Sequence, residues 1–167
     1  MTALGPNANL AAMSKKGLLV IDVTRGRVQG SFDGALDLIE PVAGEIAYYH
    51  RRKQPVIFAC STADPGDDPR AAIHPELTSD PLDPVFRLGG YSAFHGTELQ
   101  STLEALGVTE LRIVGLETHT AVLYTAADAV QRGFRVVIPE TCVASADEDD
   151  HVFALRQVRD VLGIGPG

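Results

Sequence analysis

The chain has 167 residues, 45% of them hydrophobic and 22% charged, which suits one globular domain with a sizeable buried core and requires no second one. A formal net charge of −8 works against holding a phosphate backbone, which needs clustered cations, so nucleic acid is excluded as a partner. No apolar run reaches the length of a bilayer span and residues 1–16 lack the continuous apolar core of a secretory signal, so the expectation is a cytoplasmic protein with no membrane partner.

Residues 1–14 are small, aperiodic and contain Gly, Pro and Asn, which predicts a flexible arm ahead of a single domain over 15–167. GLLVIDV at 17–23 is a continuous apolar run ending in an acid, the pattern of a strand buried on both faces. PVIFAC at 55–60, LRIVGL at 111–116 and FRVVIP at 134–139 repeat it. Helical patterns fall between them. The first carries Leu36, Ile39, Val42, Ala43 and Ile46, with Pro41 as a kink or an early-turn residue. Thr97 and Gln100 have the spacing of a capping box ahead of Leu99, Leu103 and Leu106, and Gly107 supplies the stop. Ser145 and Glu148 have the same spacing at the head of the last helix, whose Arg156 and Arg159 sit near its end. Strands alternating with helices predict an α/β fold, a doubly wound, mainly parallel sheet in a Rossmann-like three-layer α/β/α arrangement. Ser61–Pro84, rich in Pro, Asp and Gly, is too long for a plain connection and reads as a functional or covering loop.

Ligands of open parallel sheets collect beyond the carboxyl ends of the strands, where the strand order reverses. If the first strand and LRIVGL are neighbours there, Asp22 and the turn Thr118–Ala121 face one crevice. Asp22 is then a candidate acid or base; the alternative is a strand-end aspartate bonded to nearby backbone N–H groups. VGLETHTAVLYTAADA at 114–129 runs from a strand into a helix, and free N–H groups at such a junction suit an anionic or carbonyl-bearing ligand. Its first turn offers Ala121, which can do no chemistry. Cys60 and Cys142 read as buried small hydrophobes rather than a disulfide. His50 reads as a solvated helix-end residue, His151 as packing in the last helix, and His119 as better placed near the crevice. His74 with Asp64 lacks a third donor for a metal, and Ser92 with His95 is no oriented nucleophile pair.

The sequence resembles the isochorismatase-like hydrolases, a group that includes nicotinamidases, carbamoylsarcosine-type amidohydrolases and isochorismatase. The resemblance rests on LLVIDV with Asp22, YSAF at 91–94 followed by GTELQSTLEALGV, VGLETHTAV with TAADA, GFRVVIPETCVAS and HVFAL at 151–155. It implies a doubly wound sheet, a homo-oligomer (dimer or higher), a cis peptide at Leu116–Glu117, and a catalytic Asp, Lys and, in the amidohydrolases, Cys. Asp22 matches the Asp. The cysteine position is Ala121, and a methyl group cannot attack a carbonyl carbon. The lysine position, three residues before Tyr91, is Leu88, with Arg87 one residue away; on a strand a one-residue slip reverses the side chain's direction. Thr24 replaces the usual Gln, and the histidine-rich metal loop is absent, with Gly66 at one of its positions. Glu117, Thr118, His119, Thr120, Tyr91 and Phe94 are the implied ligand-contacting residues. Isochorismatases dispense with the cysteine and use the Asp as an acid, and their His is matched by His119.

Three readings follow. One is a protein of hydrolase ancestry with weak or lost activity that binds a small carboxylate, amide or carbonyl ligand. The second is a Cys-independent hydrolase using Asp22 as general acid or base. The third, an amidohydrolase changed to Ala at one position, conflicts with Leu88 and Thr24. The first is preferred because removing members of a catalytic unit costs orders of magnitude in rate. No cofactor and no metal are implied.

Overall fold

A computed structural model describes residues 14–30, 32 and 34–167; the expected N-terminal arm, Ser14 apart, lies outside the described residues. The sheet has six strands: β1 (Lys15–Ile21), β2 (Val56–Cys60), β3 (Val85–Arg87), β4 (Val108–Leu116), β5 (Arg135–Val137) and β6 (Val143–Ala144). All pairings are parallel, in the order β3-β2-β1-β4-β5, with β6 beside the carboxyl end of β4. The four apolar runs are therefore strands, and β1 and β4 are neighbours at the reversal of order. β3 and β6 are too short to leave a pattern in the sequence.

Burial explains the continuous apolar runs. Successive residues of β1 enter opposite layers: Leu18 and Val20 join Val42, Ile46, Val56, Phe58 and Val114, whereas Leu19 and Ile21 join Leu99, Leu103, Ile113, Val122 and Ala126. A strand covered on both faces has no polar side, so it does not alternate. The first layer belongs to α3 (Ile39–Arg51), which follows the short α1 (Arg25–Gly30) and α2 (Gly34–Asp37). Ile39, Val42, Ile46 and Tyr49 form its buried stripe, and Pro41 sits unobtrusively in its first turn. Leu36, expected on that stripe, is 60% exposed because the chain breaks between α2 and α3 at Leu38. On the other face lie α5 (Leu99–Ala105) and α6 (Leu123–Gln131), followed by α7 (Glu148–Arg156).

Both predicted capping boxes are corrected. The helix after Thr97 starts one residue late, and Gln100 reaches forward to Glu104 instead of back to the cap. Thr97 Oγ1 donates to the Ala93 carbonyl and accepts only the Leu99 N–H, at 3.3 Å. At α7 the cap is Asp147, which accepts from the Asp150 N–H at 3.0 Å, and Ser145 is left to another partner. An aspartate two residues on outcompeted the serine for the same orphan N–H groups.

The stretch 61–84 packs on the chain's own body. It holds α4 (Pro69–Ala72), capped by Asp68, and its Ile73 bridges Thr24 while the His74 N–H bonds the Val23 carbonyl. Ile73 and Leu77 enter the core. His50 is not merely solvated: its Nε2 lies 3.0 Å from Oδ2 of buried Asp83, tying α3 to the far end of this segment.

The packing is testable at the β1–β4 ladder and at Cys60. Gly115 has φ +124°, and a Cβ there would sit 1.9 Å from the Ile21 carbonyl oxygen, in the middle of that ladder. Gly44, exposed in α3, has open space where a methyl group would stand. Gly115→Ala is expected to cost at least about 4 kcal/mol in urea denaturation, whereas Gly44→Ala gains roughly 0.5–1 kcal/mol. A mild Gly115→Ala would contradict the close approach of the strands. Burial, with Asp22 adding to it, pushes the Cys60 thiol from 9.0 up to about 12. A folded-state pKa above the unfolded one contributes stability that is complete below pH 9 and lost as pH rises toward 12. Cys60→Ala should therefore flatten the alkaline fall of stability by up to about 1.4 kcal/mol per pH unit, leaving the share of Tyr49, likewise raised by burial to about 12. An unchanged slope would remove Cys60 as its source.

Candidate functional site

The carboxyl ends of β1, β2 and β4 meet at Asp22. This residue is 3% exposed and takes φ 55°, a left-handed conformation that Asp tolerates better than most residues. The turn aims its carboxylate at β2, where Oδ1 accepts from the Ser61 N–H at 2.8 Å and the Ser61 hydroxyl at 2.6 Å. Oδ2 faces the Arg27 guanidinium, with Nε at 3.1 Å. Both oxygens are thus committed. Arg27 reaches Asp22 because α1 begins at once after the strand: Thr24 Oγ1 accepts the Arg27 N–H at 3.2 Å and Val28 is buried beneath. The same guanidinium lies 3.7 Å from Oε1 of Glu117, at the tip of β4. Glu117 is 8% exposed, and its other oxygen accepts the Ala146 N–H at 3.1 Å.

The Leu116–Glu117 peptide is cis, at the position the resemblance implies. The chain then makes one widened helical turn, Thr118–Val122, in which the Glu117 carbonyl accepts both the Thr120 N–H at 3.2 Å and the Val122 N–H at 3.1 Å. Thr118 is fully buried, and its hydroxyl is 2.9 Å from Nδ1 of His151. His151 therefore does more than pack in the last helix; it bonds α7 to the site turn. His119 has Nδ1 3.0 Å from the Ser145 hydroxyl, its backbone N–H bonded to the same oxygen, and Nε2 3.8 Å from exposed Asp150. Thr120 is half-buried. Ala121 is 7% exposed and packs in the core beside Val122.

Other sequence candidates go elsewhere. Arg87 turns into the covering segment, bonding the Thr62 hydroxyl and the carbonyls of Asp64 and Asp67. Leu88 packs against the core. Phe94, expected to contact a ligand, is 6% exposed and stacks on Phe134 with Arg132 over its ring, so it is part of the core. Tyr91 is 71% exposed and pairs with Tyr124 on a surface groove with Gly89, Gly90 and His95. The motif around Tyr91 and Phe94 instead anchors the chain through the Ala93 N–H, which bonds buried Thr125 at 2.9 Å.

Arg27, Ser61, Ser145 and His151 escaped sequence reasoning as parts of the site. Ser61 was accessible in principle, because parallel neighbours β1 and β2 place Ser61 and Asp22 at adjacent strand ends. Nothing in RGRVQG distinguishes Arg27 from Arg25. Neither cysteine offers a thiolate: burial raises both Cys60 and Cys142. Among the described residues no group of three or more His, Cys, Asp or Glu is arranged to hold a metal ion. Among them also, no helix is long and apolar enough to cross a membrane.

The sequence profile of the isochorismatase domain matches residues 16–164. The isochorismatase family protein PncA of Bacillus subtilis is 40% identical over 73 residues, 44% of this chain and 40% of that protein. The nicotinamidase/pyrazinamidase of Mycobacterium tuberculosis is 31% identical over 109 residues, 60% of this chain and 56% of that protein. The match thus spans only about half the length of these curated relatives. In fold, the crystal structure of the pyrazinamidase/nicotinamidase of Streptococcus mutans superposes with a TM-score of 0.81 at 24% identity, covering 90% of this chain and 99% of that one. With a family profile that extends from β1 past the last helix and a parallel sheet of matching architecture, the chain belongs to the isochorismatase family.

Proposed function

We propose that this chain is an isochorismatase-family protein that binds a small carboxylate, amide or carbonyl-bearing ligand in the crevice between Asp22 and Ala121, with weak or lost hydrolase activity. The observation that carries this reading is the alanine at the helix start. A methyl group stands where the amidohydrolases of the family place their nucleophile, so covalent acyl transfer has no attacking atom. Three further features support it. Leu88, at the position of the family lysine, is partly buried and packs against the core. Cys60 and Cys142 are buried thiols held protonated. Both oxygens of Asp22 have partners in Ser61 and Arg27, so proton exchange with a ligand would compete with these contacts.

The last feature also weighs against the Cys-independent hydrolase, in which Asp22 would act as general acid or base. That chemistry requires Asp22 Oδ2 to serve the substrate beside or in place of Arg27.

Restoring the absent groups separates loss from divergence. Ala121→Cys is expected to give a thiol at a helix N-terminus with a lowered pKa, alkylated at least about tenfold faster than Cys60 or Cys142 of the parent. Its turnover of small primary amides should stay low. With Leu88→Lys added, turnover should exceed the product of the two separate effects, as expected for groups acting as one unit. Labelling no faster than that of the native cysteines would remove the crevice assignment. Amide turnover by the parent chain, abolished in Asp22→Asn, would favour the Cys-independent enzyme.

A further inference from the structure

Two buried carboxylates stand at the tips of adjacent strands, Asp22 on β1 and Glu117 on β4, 3% and 8% exposed. Like charges withdrawn from water repel and lose hydration unless a cation compensates them. Here one guanidinium serves both: Arg27 presents Nε to Asp22 at 3.1 Å and Nη2 to Glu117 at 3.7 Å. Those contacts use Nε and Nη2, and the side chain is 44% exposed, so the guanidinium is reachable from solvent as well as bound to the pair. A guanidinium edge matches the two oxygens of a carboxylate.

We infer that Arg27 is the specificity-determining cation of the crevice: it positions Asp22 and Glu117 and allows an otherwise doubly anionic site to accept a ligand carboxylate. This rests on the proposed function and narrows it. With Arg27 the three groups sum to −1; without it they sum to −2, and an anionic ligand is repelled. A neutral amide is far less sensitive to that change. Arg27 therefore sets the balance between carboxylate and amide ligands.

Iodoacetate and iodoacetamide form a matched pair of alkylating probes, one anionic and one neutral, and Ala121→Cys in the full chain supplies the reporter thiol. Each rate is normalised to that reagent's rate with free cysteine. Arg27→Gln and Arg27→Met are expected to lower the iodoacetate-to-iodoacetamide ratio at least about tenfold, since one unit charge roughly 12 Å away at an effective dielectric constant near 20 already contributes that much. Arg27→Lys should keep the ratio within about threefold, and Arg25→Gln, on the same helix but outside these contacts, should leave it unchanged. An equal fall in both rates, or unfolding of both uncharged variants by circular dichroism, would make Arg27 purely structural and overturn the inference. An unchanged ratio on a rapidly labelled thiol would overturn it while sparing the proposed function. Absence of labelling by either reagent would overturn both.

Discussion

The close approach of β4 to β1 is the constraint on which the rest depends. Ile21 pairs with Gly115, and only a residue without a Cβ fits against the Ile21 carbonyl at that point. The pairing brings the two strand tips level, so Asp22 and Glu117 leave the sheet side by side at the reversal of strand order. Parallel strands end with their carbonyls and following turns on one side of the sheet, which is why such a reversal becomes a crevice. The charges follow from this placement. Neither carboxylate can be buried there without donors, and Ser61, Ala146 and Arg27 provide them from three different segments.

The layers of the fold were readable because a buried parallel strand leaves a strong mark: LLVI in β1, VIFA in β2 and IVGL in β4 carry no polar face. Gly107 and the buried stripe of α3 were readable for similar reasons. Helix starts were harder. Ser145 and Thr97 both have acid or amide partners at the right spacing, but capping is decided by which side chain actually faces the free N–H groups. Asp147 won at α7, and Ser145 was drawn to His119. The positions of Asp22 and Glu117 were legible because they follow strands whose pairing brings their tips together. The contact of Arg27 with both was not legible, because it arrives from a short helix with no periodic pattern. YSAF shows the opposite error: Phe94 belongs to a distinctive stretch for packing reasons, since its ring stacks on Phe134.

The tip of β1 and the helical turn that follows β4, with Ala121 in it, keep a demanding local architecture. Asp22 remains buried and in an unusual backbone conformation, costs that a chain selected for stability alone would shed. Its partners, however, have closed around it: a serine on one oxygen and an arginine on the other. A carboxylate with a partner on each oxygen is held in one orientation. The hydrogen bonds of Thr118 to His151 and of His119 to Ser145 hold the turn after β4 in the same way.

A crystal structure of the chain grown with a small primary amide, and a second with its matching carboxylate, tests this account most directly. The account predicts intact, non-covalently bound ligand between the Arg27 guanidinium and the first turn at Ala121, with Asp22 still bonded to Ser61. Density at another place on the molecule, a covalent adduct, or carboxylate product in the crystal grown with amide would contradict it.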